Sequence, residues 1–272
     1  MASPLDRSER APNLSGGLRS IALPVEHGGW GFTLEPVLLG LLVAASAAAW
    51  ELSVAAVAVF LARRPAKLVL TDVARRRWLP RSKVALGFAG LYGTLAVAGL
   101  AGALVTAEPR FLIAYAVAVP FALVALRADA MSKSRTLLAE LAGSIAMGST
   151  VAAIALADGW MASEAFGLWG ILVARGVTTI SLVRGQIRRV HDKPVGENRI
   201  YLVQILATTV IVVAAAADIV PWLAVAAVAG IGILAYVSLR RPPVPARVVG
   251  WTQIATGLVV VLLSAIGIWL DW

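Results

Sequence analysis

The chain has 272 residues, 60% of them hydrophobic and 14% charged, with a formal net charge of +9. No soluble domain of that length covers so apolar a composition with polar groups, so the chain reads as a polytopic membrane protein. There is no cysteine, which excludes disulfides, thiolate nucleophiles and Cys-ligated metals, and two histidines, His27 and His191, are too few for a His-rich metal site. In a soluble chain the positive charge would suggest nucleic acid. Here the cations sit between apolar runs, so membrane orientation and anionic phospholipid explain them, and no nucleic-acid partner is expected.

The N-terminal stretch is polar, carries Arg7, Arg10 and Arg19, and has no apolar core before Ile21, so it does not read as a cleavable signal. Residues 1–23 are expected to be a disordered cytoplasmic tail and residues 24–272 one transmembrane domain. Apolar runs of roughly 17–23 residues, long enough to cross a bilayer, fall at nine places. They are Gly31–Ala49, Leu52–Leu70, Val84–Thr106, Phe111–Leu126, Thr136–Ala157, Glu164–Gly185, Ile200–Ala217, Pro221–Leu239 and Val248–Leu270. All lysines and arginines except Arg110 and Arg175 then fall at one end of the bundle, while Glu51, Glu108, Asp158, Glu164, Asp218 and Asp271 fall at the other. Positive loops stay inside, which predicts an all-α bundle with its N-terminus in and its C-terminus out, in a bacterial cytoplasmic membrane. Trp30, Trp50, Trp78, Trp160, Trp222, Trp251, Trp269 and Trp272 lie near the span ends, as an aromatic belt does.

Ionisable residues inside membrane helices are costly and are the first candidates for function. Glu26 and His27, in PVEHGGW before the first span, pair a carboxylate with an imidazole and are the acid/base candidates. Arg63, Arg64 and Lys67 close the second span, with Arg63 and Lys67 on one face. Together with Arg184 and Arg188 at the end of the sixth span they could cradle an anionic head group. The alternative is snorkelling to the interface. Arg175 lies mid-helix, about ten residues from either end of its span, too deep for easy snorkelling. It needs a partner, with Glu140 or Glu35 the natural ones, and a Glu140–Arg175 pair holding the bundle is the structural expectation. Tyr201 and Gln204 share a face of the seventh span and could line a cavity or brace helices. There is no Walker loop, HExxH, GxSxG or dinucleotide fingerprint.

The stretches PVEHGGW, LEPVLLGLL, ARRPAKLVLTD and RTLLAELAGSIAMG resemble the YwiC-like bacterial membrane proteins. More distantly, nine helices with long connections after the second and sixth spans resemble the UbiA superfamily of intramembrane prenyltransferases. That resemblance implies a bundle around a lipid-filled cavity, with two aspartate-rich motifs holding magnesium and a prenyl diphosphate. This chain departs from it at both motifs, offering only Asp72 after the second span and Asp192 and Glu197 after the sixth. Neither magnesium nor any other cofactor is therefore expected. The leading expectation is a UbiA-like bundle that binds an isoprenoid or lipid by its anionic head group at a basic cytoplasmic mouth, a divergent transferase if it is catalytic at all. The alternatives are a proton- or ion-coupled transporter using Glu35, Glu140 and Arg175, and a non-catalytic assembly partner.

Overall fold

The structure, a computed structural model, describes residues 14–24, 27–131 and 133–271. All regular elements among them are helical: α1 (Leu14–Ala22), α2 (His27–Val43), α3 (Ala47–Ala74), α4 (Pro80–Thr106), a 3-10 turn (Pro109–Phe111), α5 (Leu112–Ala130), α6 (Leu137–Ala157), α7 (Ala162–Val190), α8 (Glu197–Ala216), α9 (Trp222–Arg240) and α10 (Ala246–Asp271). Seven helices, α4 to α10, are long and apolar enough to cross a membrane, with α5 counted from Pro109. The helix α1 falls within the stretch read as a tail.

The first two spans differ from the sequence expectation. The chain breaks at residues 44–46, where Ser46 caps α3 by accepting a hydrogen bond from the Ala49 amide at 3.3 Å, and not at Trp50–Glu51. A serine hydroxyl at the N-cap offers the first turn an acceptor that the apolar periodicity does not register. As a result α2 has only 17 residues, and α3 has 28 and runs unbroken through Pro65. Glu51 is not a loop acid but sits in the second turn of α3, where the positive end of the helix favours it. Its carboxylate accepts from the Thr106 hydroxyl of α4 at 2.5 Å.

The centre of the bundle is the α6–α7 pair. Small residues let the two approach: Gly148 lies against the indole of Trp169, and Trp169 Nε1 donates to the Ile145 carbonyl at 2.8 Å. Ser149 to Leu156 of α6 are buried without a break. Against α6 pack α2, α3 and α5; against α7 pack α8, α9 and α10; and α2 meets α10 on the far side, which closes the two halves into one ring. The outward faces of α4, α5, α8 and α10 are apolar and exposed, as in Val97, Leu123, Val210 and Trp251, which suits hydrocarbon rather than water.

The ends are fixed by turn chemistry. Pro80 starts α4, where its missing amide hydrogen is no loss. Asp192 and Asp218 adopt left-handed backbone after α7 and α8, a conformation Asp tolerates, whereas Arg76 does so after α3 with no such help. The α3–α4 hairpin depends on Gly99, since a Cβ there would come within 2.5 Å of the Glu51 carbonyl and 3.0 Å of the Ala55 amide. Gly99→Ala is therefore expected to lower stability by about 1–3 kcal/mol. Gly90→Ala, in open space on the same helix, should be neutral or slightly stabilising. Thermal unfolding of the detergent-solubilised protein distinguishes the two.

Candidate functional site

At the basic end of the bundle most of the expected cradle cations meet partners within the chain. Arg63 and Lys67 share a face as expected, and the anion they face is Asp129 at the end of α5, bonded by Arg63 Nε and 3.7 Å from Lys67 Nζ. Arg64 Nε donates to the Ser20 carbonyl of α1. Arg184 pairs with Glu140 at 2.9 Å and donates to the Arg135 carbonyl at 3.0 Å. Arg188 donates to the Pro194 carbonyl at 2.9 Å. The expected Glu140–Arg175 pair does not form. Arg175 and Arg184 are nine residues apart and point to opposite sides of α7, so Glu140, in the first turn of α6, meets the one nearer the helix end. Glu26 lies outside the described residues, and of His27 only the backbone is described.

Asp72, past the spanning part of α3, is enclosed by the start of α4. Arg81 donates to both of its oxygens, at 2.9 and 3.3 Å, and the Ser82 hydroxyl donates at 2.7 Å. These bonds, Arg81 first, hold its carboxyl below the usual carboxylate range. Magnesium with a diphosphate would need grouped carboxylates with free oxygens. Asp72 has neither oxygen free, and no three His, Cys, Asp or Glu among the described residues come together, so these residues do not fit a magnesium site.

The deepest polar feature is the ion pair of Arg175 on α7 with Glu35 on α2. Arg175 is 3% exposed, and its Nη2 lies 2.7 Å from Glu35 Oε1 and 2.8 Å from the Gln253 carbonyl of α10. The Phe32 ring lies under the guanidinium, 5.4 Å from its carbon. Gly257 makes the arrangement possible, because a Cβ there would sit 2.0 Å from Glu35 Oε1. Arg175 Nε and Nη1 are buried and have no hydrogen-bond partner. Arg175, Thr179 and Gln186 follow one stripe of α7. Thr179 Oγ1 and Gln186 Oε1 are unpartnered too, as are Gln253 Oε1 and Ser264 Oγ on α10 and Gln204 Oε1 on α8.

Next to that stripe, at the basic end, a cleft of about 210 Å³ opens between α7, α9 and α10. Its walls are apolar, with Leu234, Val237 and Val248 among them; its polar groups include Gln186, Arg189, Arg241 and Gln253, and no carboxylate among the described residues lines it. Arg189 is anchored by the Ser238 and Arg241 carbonyls at 3.0 and 2.8 Å. Gln253 thus belongs to both features: it is one of the residues lining the cleft, and its carbonyl lies on Arg175. Gln204 Nε2 donates to the Thr178 carbonyl at 3.0 Å, bracing α8 on α7. The Tyr201 ring lies beside Tyr236, 6.1 Å between centroids. Sequence reasoning missed Asp129, Gln253, Gly257, Gln186 and Arg189. Only Gln186 and Arg189 carried a signal, since they recur on the face of α7 that bears Arg175.

A long apolar bundle with cross-helix ion pairs at one end and one deep in its interior is the construction of a polytopic helical membrane protein. Residues 23–155, from just before α2 to the end of α6, match the family model of the YwiC-like proteins, so that region is YwiC-like as its motifs suggest. No curated protein and no solved structure matches the chain.

Two outcomes follow from these ion pairs. Because the folded-state carboxyl of Asp72 is depressed, its stabilisation is complete above the ordinary carboxylate range and is lost as pH falls through the lowered value. Trypsin should therefore cut at Arg75–Arg77 faster in Asp72→Ala than in the parent at neutral pH, and hydrogen exchange of that loop should rise in the parent only on strong acidification. Deep in the bundle, Glu35→Ala leaves Arg175 uncompensated and is expected to cost about 3–5 kcal/mol, read as a fall in the unfolding midpoint.

Proposed function

We propose that this protein is a nine-span bacterial cytoplasmic-membrane protein, N-terminus in and C-terminus out, that binds an amphiphile by its anionic head group in the α7–α9–α10 cleft. The seven long apolar helices are joined in this reading by α2, which is apolar but short, and by α3, which is long but carries Glu51 at one end and Arg63, Arg64 and Lys67 at the other. Both are read as spans in this proposal because each packs along helices long and apolar enough to cross. The orientation rests on the basic loops.

The observation that carries the reading is the lining of the cleft. Arg189 and Arg241 stand among apolar walls with no carboxylate among the described residues paired to them. The carbonyls that fix Arg189 aim its charge without cancelling it. A fixed cation above an apolar groove at the membrane surface suits a phosphate-bearing lipid or isoprenoid, with the head on the arginines and the tail among the helices. Arg63, Lys67 and Arg184 act in this reading as clasps, holding Asp129 and Glu140, and contribute to the positive field around the mouth rather than to the contact.

The test is binding of a polyprenyl phosphate and of phosphatidylglycerol to the purified, delipidated protein, followed by native mass spectrometry. An arginine–phosphate bond is worth about 1.5–3 kcal/mol, so Arg189→Gln with Arg241→Gln should weaken binding at least tenfold. Arg63→Gln and Arg184→Gln should lower thermal stability and leave binding within a factor of about three. Unchanged binding in the first pair together with loss in the second would return the head group to the ends of α3 and α7.

A further inference from the structure

The Glu35–Arg175 pair has a donor surplus that its structural role does not use. A guanidinium carries five N–H bonds. The two on Nη2 go to Glu35 and to the Gln253 carbonyl, while those on Nε and Nη1 are buried with no acceptor. An unmet donor in such a place costs about 1–3 kcal/mol, and more on a charged group. A side chain 3% exposed in the membrane interior does not recover that from bulk water. A merely structural pair would not need those donors to be free.

We propose that Arg175 is the binding site of a small monovalent anion, and that the anion enters together with one proton, which goes to Glu35. Arg175 has one charge, and Glu35 already balances it. An anion added to the ionised pair would leave a net negative charge in low dielectric, at a cost of several kcal/mol. If Glu35 takes up a proton as the anion arrives, the site stays neutral: the anion replaces Glu35 as the counter-ion, and the protonated carboxyl can still hydrogen-bond. Of the charged groups on elements packed against α2, only Arg175 of α7 reaches Glu35 among the described residues. On α6, Glu140 is held by Arg184; on α3, Glu51 is held by Thr106, Arg63 and Lys67 by Asp129, Arg64 by Ser20 and Asp72 by Arg81. From α10 the nearest groups are the Gln253 carbonyl and Gly257, which carry no charge. Among the described residues nothing else beside the pair therefore absorbs the incoming charge.

The inference stands apart from the amphiphile reading, because it uses Glu35 and Arg175 and not Arg189 or Arg241. The experiment is titration calorimetry of the purified full-length protein with sodium nitrate and with sodium formate. It is run at pH 8 in two buffers of different ionisation enthalpy, so that protons taken up per anion bound can be read directly. The parent should take up about one proton per anion, and its affinity should weaken about tenfold per pH unit above that. Glu35→Gln, which mimics the protonated carboxyl, should bind the same anions with no proton uptake, and its unfolding midpoint should rise on adding nitrate. Arg175→Gln should bind neither. Absence of saturable heat from both salts in the parent overturns the proposal. So does binding in the parent without proton uptake, or unchanged proton uptake in Glu35→Gln. The parent and Glu35→Gln results decide the matter even if Arg175→Gln does not fold.

Discussion

A guanidinium held within a membrane bundle must have a counter-charge within reach, and that requirement shapes this molecule. Arg175 of α7 finds it in Glu35 of α2 and adds the Gln253 carbonyl of α10. One contact thus joins an early helix, a central one and the last one, and it does so where α2 and α10 close the ring. Such a pair adds little net stability, since two charges must be desolvated to make it, but it is severe when halved. It therefore fixes which helices are neighbours more than how tightly they hold.

The same logic recurs at the basic end in weaker form. Asp72 ties the start of α4 to the end of α3, Asp129 ties α5 to α3, and Glu140 ties α6 to α7. Each is a carboxylate at a helix end surrounded by cations. The basic loops that orient a membrane protein carry mutual repulsion, and a few acids spaced among them turn that repulsion into inter-helix clasps. The pairs are partly exposed, so water and salt weaken them, and they act as registers for helix ends rather than as the source of stability. The cleft lined by Arg189 and Arg241 has no such acid among the described residues, and the proposed head-group contact rests on that contrast.

Much of this was legible along the chain. The seven long helices follow from apolar length alone, and their bounds agree with the sequence reading to within about five residues, as for the third to the ninth expected spans. The first two did not, because the boundary between them is set by the Ser46 hydroxyl rather than by the charged Glu51, and a local cap is quieter in sequence than a charge. Arg175 was identifiable as a buried cation needing a partner, and Glu35 was one of the two carboxylates available. The choice between Glu35 and Glu140 was not legible, because it depends on which helix lies beside α7 at that depth. The partner of Arg63 and Lys67 was hidden for the same reason: Asp129 is 66 residues from Arg63 and looks, in sequence, like a loop acid.

The sequence by itself determined what a solvent boundary imposes: an all-helical membrane chain, the places where its long apolar helices lie, the separation of basic from acidic ends, and the interior positions at which charge has to be answered. Those are properties of single segments, read from the cost of placing each residue in hydrocarbon. Only the tertiary structure decided who answers whom. Pairing Arg175 with Glu35, fitting Gly257 beneath them and leaving Nε and Nη1 without acceptors are outcomes of how three helices distant in sequence are packed together. A hydrogen bond depends on distances of a few ångströms that no spacing along one helix contains.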